Sequence, residues 1–108
     1  RQGACAEYVS LPEANLHLVP DEVTTDEAVF TEPLAAAFQI PAQIPVRNGD
    51  RLTVLGDGRL GNLCAQVLAM HGCRVRVIGK HTEKLDVIKS LGIEVPPTLS
   101  ARADEVIE

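Results

Sequence analysis

Aromatic side chains are nearly missing from these 108 residues: one Tyr, two Phe and no Trp. Proteins that hold single-stranded nucleic acid stack its bases on aromatic faces, so that class is disfavoured. An excess of positive charge is missing too, with 10 Lys and Arg against 15 Asp and Glu and a net charge of −5. No basic face can dominate such a balance, which argues against nucleic acid as a partner. No apolar run approaches the ~18 residues of a membrane-spanning helix, and no signal-peptide pattern opens the chain, so no membrane partner is expected. Cysteine is sparse: Cys5, Cys64 and Cys73 are an odd number and form no Cys-x-x-Cys pair. They read as packed, reduced thiols of a cytoplasmic protein rather than a disulfide frame or a zinc knuckle.

What is present is a 45% hydrophobic content, enough for the core of one ordinary domain. The chain starts at Arg1 without Met and closes on "ADEVIE", which reads as an unfinished strand. A piece of a longer protein is expected.

The first third is broken by proline. Tyr8-Val9 and Leu11 precede Pro12, and Leu16, Leu18 and Val19 precede Pro20, a pattern that predicts two antiparallel-type strands. Asp21 to Thr25 supply turn and N-cap residues. "TDEAVFTEPLAAAFQI" then predicts one helix or two short ones, with Pro33 in the first turn of the second. "PAQIPVRNGD" reads as a linker that ends in an Asn-Gly turn.

The character changes at "RLTVL", a strand with so little polar alternation that both faces are expected to be buried. Leu60, Leu63, Cys64, Val67, Leu68 and His71 follow at helical spacing, with Gly72 as the stop. "RVRVIG" is the next strand. Thr82 can cap a helix whose apolar side is Leu85, Ile88 and Leu91, with Gly92 closing it. Strand, helix, strand and helix joined by tight turns predict an α/β fold with a parallel sheet.

Between the first strand and its helix lies Gly56-Asp57-Gly58-Arg59-Leu60-Gly61, which fits G-x-G-x-x-G. The pattern is weak alone and strong in this context, straight after a strand and opening an amphipathic helix. Gly56 turns the chain out of the strand, Gly58 has no Cβ to obstruct a pyrophosphate, and Gly61 lets the helix pack close to the sheet. The helix N-terminus then offers N–H groups to the phosphates of a dinucleotide. At the end of the second strand, an acid would accept bonds from an adenosine ribose and repel a 2′-phosphate. The stretch from Arg74 to Thr82 contains no acid, and Gly79-Lys80-His81 offers space, cation and donors instead. On that local electrostatic argument NADP is favoured over NAD as cofactor.

These residues resemble the medium-chain dehydrogenase/reductase superfamily of the zinc alcohol dehydrogenase type, over nearly the whole chain. "GACAEYVSLPEANLHLVPD" is similar to the end of the GroES-like catalytic β domain of that family. "DEAVFTEPLAAAFQI" is similar to its connecting segment, and the stretch from Asn48 to Val95 to the opening of its Rossmann domain. The resemblance implies that residues 1–45 close a GroES-like domain and its connecting helices. It implies that residues 46–108 are the first half of a Rossmann-type parallel sheet. After Gly92 the family has a longer segment and a third strand; here the segment is short, and "DEVIE" is expected on the other side of the first strand.

The resemblance further implies that Arg59 and Leu60 contact a pyrophosphate through backbone groups, and that Lys84 reaches the adenosine ribose. Gly79 stands where NAD-using members carry an aspartate. Glu32, in "TEPLAAA", matches the Glu-Pro of the polyol and threonine dehydrogenase branches, whose carboxylate lies at or near a catalytic zinc. The family's upstream Cys ligand, its Gly-His-Glu segment and its four-cysteine lobe have no counterpart in these residues, and His17, His71 and His81 are not placed to replace them. The chain alone is therefore expected to be inactive, and its catalytic residues stay unassigned. The implied parent is an NAD(P)-dependent oxidoreductase acting on a small alcohol or carbonyl, a homo-oligomer. A zinc-free quinone or enoyl reductase and a non-catalytic nucleotide-binding module remain as alternatives.

Overall fold

The computed structural model describes residues 3–96. The strand expected at "DEVIE" lies outside the described residues. The elements are α1 (Thr25–Ala28), α2 (Thr31–Gln43), β1 (Arg51–Leu55), α3 (Arg59–Met70), β2 (Arg74–Ile78) and α4 (Thr82–Ser90). A single 3-10 turn, Glu13–Asn15, precedes them.

The two strands expected before Pro20 are not found among the described residues. Tyr8, Leu16 and Leu18 are instead 91, 60 and 99% exposed. Their alternation is real, but a strand holds only where a partner pairs its backbone, and the described residues offer none. Thr24 caps α1 as expected. Its hydroxyl accepts the Glu27 N–H at 3.3 Å while the Glu27 carboxylate accepts the Thr24 N–H at 2.9 Å, a reciprocal capping box.

The second helix is longer than expected and runs through Pro41 into the supposed linker. Pro41 falls in the last turn, so only one helical bond is lost, and the N–H of Ile44 still donates to Ile40 O at 2.9 Å. The turn at Asn48-Gly49 forms as read. Asp50 N–H donates to Arg47 O at 3.1 Å, and the Asp50 carboxylate accepts the Arg47 N–H at 2.8 Å.

β1 and β2 pair in parallel, in register from Arg51 opposite Arg74 to Leu55 opposite Ile78. On β2 the pleat separates buried Val75 and Val77 from exposed Arg74 and Arg76. These valines meet Ala65 and Leu68 of α3, Leu85 and Ile88 of α4, Cys73 and Ile93 in one cluster. The helices thus cover one sheet face. The expectation that β1 is buried on both faces is not met among the described residues. Leu52 and Val54 are half-buried, whereas Leu55 is 79% exposed.

The helix ends differ from expectation in detail. Leu60 and Leu91 were read as core positions but are 52 and 49% exposed. Leu91 is the C-cap of α4, past the last turn that faces the sheet. His81, rather than Thr82, is the N-cap of α4. Gly72 ends α3 in a double bond pattern, Gly72 N–H to Ala69 O and Cys73 N–H to Leu68 O, and His71 adds a ring contact from Nδ1 to Val67 O at 2.8 Å. Beyond α4, Glu94 makes a single parallel bridge to Arg76, with the Val77 N–H donating to Glu94 O at 2.9 Å. A third sheet position is begun at the edge of β2 that β1 leaves free.

Candidate functional site

Two turns leave the same end of the sheet, because parallel strands bring their C-terminal ends side by side. The N–H of Gly56 donates to Ile78 O at 2.7 Å, one step beyond the ladder. Gly56 then turns with φ +114, a region that side-chain-bearing residues rarely adopt. Gly58 is the N-cap of α3, with φ −73 and ψ 177 and no side chain to bond the first-turn N–H groups. Those groups point out of the helix end with the positive pole of its dipole.

Gly61 sets the distance between helix and strand. A Cβ there would collide with the Gly56 carbonyl oxygen and lie 3.2 Å from its carbon, both main-chain atoms. At Gly58 a Cβ would meet nothing within 4 Å, so the space over the turn is open. Arg59 and Leu60 are exposed beside it. The second turn carries Gly79 and His81, both half-buried, and exposed Lys80, while Lys84 is exposed on α4.

One residue of this site was not singled out in the sequence. Asp57 is 7% exposed, the one buried charged side chain among the described residues. Its Oδ2 accepts the main-chain N–H of His81 at 2.6 Å, and the His81 ring nitrogen Nδ1 lies 3.0 Å from Oδ1 and 3.2 Å from Oδ2. Burial by itself would raise the pKa of this carboxyl. The ring and main-chain hydrogen bonds from His81, the charge of that ring and Asp57's own N–H outweigh it and hold the pKa at about 2, below the ordinary 3.8. Asp57 is therefore an anion at neutral pH.

Glu32 sits in the first turn of α2, exposed. Among the described residues no three His, Cys, Asp or Glu side chains are arranged to hold a metal ion. One open carboxylate does not make a zinc site, so these residues alone do not fit the metal that the resemblance implies. Cys64 is half-buried, and burial pushes its thiol pKa up, away from nucleophilic use. No helix among the described residues is long and apolar enough to cross a membrane.

The geometry defines a class: a parallel βαβ unit whose glycine turn opens a helix at the carboxyl end of the sheet. Comparison with known proteins sharpens it. The chain is 34% identical over 96 residues to a sorbitol dehydrogenase of Halalkalibacterium halodurans, matching 87% of the chain and 28% of that protein. It is 29% identical over 106 residues to a probable D-xylulose reductase A of Aspergillus clavatus, matching 94% of the chain and 30% of that protein. The chain thus spans less than a third of the length of these relatives. No family model matches it.

Among solved structures, a quinone oxidoreductase from Thermus thermophilus, described with its NADPH complex, superposes with a TM-score of 0.75. That match has 29% identity and covers 87% of the chain and 32% of the other. A zinc-binding dehydrogenase from Clostridium scindens shares the fold at a TM-score of 0.66 and 23% identity, over 82% of the chain and 27% of the other. The chain is a medium-chain dehydrogenase/reductase-type sequence with the Rossmann-like α/β architecture of that superfamily.

Proposed function

We propose that this chain is the cofactor-anchoring part of a larger NAD(P)-dependent oxidoreductase that acts on polyol-type alcohols or the matching ketoses. Residues 1–45 are read as the close of a GroES-like domain with its connecting helices, and residues 46–108 as the first half of the Rossmann domain. The observation that carries the reading is the uncapped N-terminus of α3 under an open Gly58, at the carboxyl end of a parallel sheet. The names of the relatives, sorbitol dehydrogenase and D-xylulose reductase, supply the substrate class.

In this reading Gly56, Gly58 and Gly61 shape the turn, and the N–H groups of Arg59 and Leu60 hold the pyrophosphate. Gly79, Lys80 and His81 select the adenosine end, with Lys84, in the first turn of α4, as a second cation at the ribose. Bound NADP supplies the hydride acceptor, and this chain's residues fix its adenosine half so that the nicotinamide is delivered elsewhere in the protein. NADP is preferred to NAD because the exposed face of the second turn carries Lys80 and no acid. The protein is read as a cytoplasmic homo-oligomer. Assaying the full-length protein with sorbitol and D-xylulose, each with both dinucleotides, tests the reading. Turnover with the phosphorylated form at the higher kcat/KM is expected, and turnover with neither would sink it.

The Glu-Pro of α2 supports a role for Glu32 as one ligand of a zinc whose other ligands lie outside these residues. Full-length Glu32→Ala is expected to lose most of its zinc by elemental analysis. A second reading, a zinc-free reductase with a structural Glu32, is favoured by the superposition on the quinone oxidoreductase. Under that reading the metal content is zero before and after the substitution.

A further inference from the structure

We propose that Asp57 is a determinant of cofactor choice that acts through its neighbours: it reserves position 79 for glycine and holds His81 in place for a 2′-phosphate. The proposal rests on the dinucleotide reading of the site.

The first observation is steric. A Cβ built on Gly79 would collide with the Asp57 Cβ and lie 2.5 Å from both Cγ and Oδ2. The carboxylate of residue 57, delivered from the end of β1, thus fills the volume that a side chain of residue 79 would occupy at the end of β2. Cβ is not the loose end of a side chain, so the clash cannot be relieved by a small swing of Asp57. A second carboxylate at position 79 would add like-charge repulsion to the overlap.

The second observation is directional. Both Asp57 oxygens face His81, one taking the main-chain N–H and both lying within reach of Nδ1. At 7% exposure the carboxylate is turned inward and is not a free acceptor for a ribose hydroxyl. The His81 side chain is 40% exposed, and with Nδ1 tied to Asp57 its remaining ring nitrogen is Nε2. With Nδ1 held by Asp57, Nε2 is the ring atom left to meet a ligand, beside exposed Lys80. The anion of matching size at this end of an extended dinucleotide is the phosphate on the adenosine ribose.

Asp57 is therefore a positioning residue, and the test reads selectivity rather than stability. NADPH and NADH are titrated by fluorescence into the full-length wild type, Asp57→Ala, Asp57→Asn, His81→Ala, Gly79→Asp and two double variants. Circular dichroism monitors the fold of each. Asp57→Ala should weaken NADPH about tenfold, the scale of one charge-assisted hydrogen bond, and NADH much less. Asp57→Asn keeps an acceptor for the His81 N–H and should fall between. Adding Asp57→Ala to His81→Ala should cost nothing further, since the two act as one unit. Gly79→Asp should not gain NADH affinity alone, and should gain it in the double variant with Asp57→Gly, which removes the obstructing Cβ as well as the carboxylate.

An unchanged NADPH-to-NADH ratio in Asp57→Ala would overturn the proposal, as would tighter NADPH binding in that variant. So would a Gly79→Asp single variant that switches preference as far as the double. Should Gly79→Asp fail to fold, the Asp57 and His81 variants decide the matter. A wild type that binds neither nucleotide overturns the underlying reading as well, which separates the two failures.

Discussion

Gly58→Asp is expected to abolish dinucleotide binding while leaving the fold as stable as before. The two effects separate because different atoms govern them. Gly58 is an N-cap in ordinary extended geometry, with nothing within 4 Å of a new Cβ. Aspartate is among the best residues at that position and can bond the free first-turn N–H groups, worth up to a few tenths of a kcal/mol over glycine. Those same N–H groups are the ones proposed to hold the pyrophosphate. A carboxylate on them competes for the donors and sets one charge against another about 4 Å away. At a surface-like effective dielectric that costs about 4 kcal/mol. A loss of at least about a hundredfold in NADPH affinity is therefore expected by fluorescence titration, with an unchanged or slightly raised Tm. Retained affinity would show that phosphate does not sit on this turn.

Gly61→Val should have the largest effect on stability. Its Cβ would land on the Gly56 carbonyl, and both partners are main chain. The helix must move away from β1, which disturbs the packing of Ala65 and Leu68 in the shared core. Overpacking of this kind costs about 1–3 kcal/mol, and valine sits at the upper end because its two Cγ atoms extend the clash. Gly61→Ala meets the same carbonyl but recovers up to about 1 kcal/mol of helix propensity, so its net loss should be smaller. Urea denaturation of the two variants checks both the sign and the order. A valine variant as stable as wild type would mean that helix and strand are not in close contact here.

The glycine turn, its strand and its helix could be read directly from the sequence because each rests on local chemistry. A period of 3.6 after "GDGRLG", a Gly stop at Gly72 and the valines of β2 all point to one arrangement. What local chemistry does not encode went unread. Asp57 and His81 are 24 residues apart, and their contact depends on β1 and β2 ending in register at Leu55 and Ile78. Once a parallel βαβ unit is assumed, the residue after Gly56 and the residue after Lys80 fall side by side, so a signal existed in the topology. The absence of an acid between Arg74 and Thr82 is true of the sequence, yet in space a carboxylate lies against Gly79. The space beside Gly79 is more crowded than the linear motif suggests.

Three of the departures from expectation share one cause. Tyr8, Leu18 and Leu55 were assigned to buried or paired strands from their apolarity, and each is largely exposed among the described residues. Apolarity shows that a residue benefits from cover, not that the same stretch of chain supplies it. Pro41 misled in the opposite direction: proline ends many helices but is tolerated where only one bond is at stake.

"GDGRLG" and "GKH" are together proposed to form one half of a nicotinamide dinucleotide site that prefers the phosphorylated form. Parallel calorimetric titrations of NADPH and NADH into the full-length wild-type protein test it most directly. The account predicts saturable binding of both, with NADPH tighter by about tenfold or more, the scale of one or two charge-assisted bonds to the 2′-phosphate. NADH binding as tightly as NADPH, or neither nucleotide binding, would contradict it.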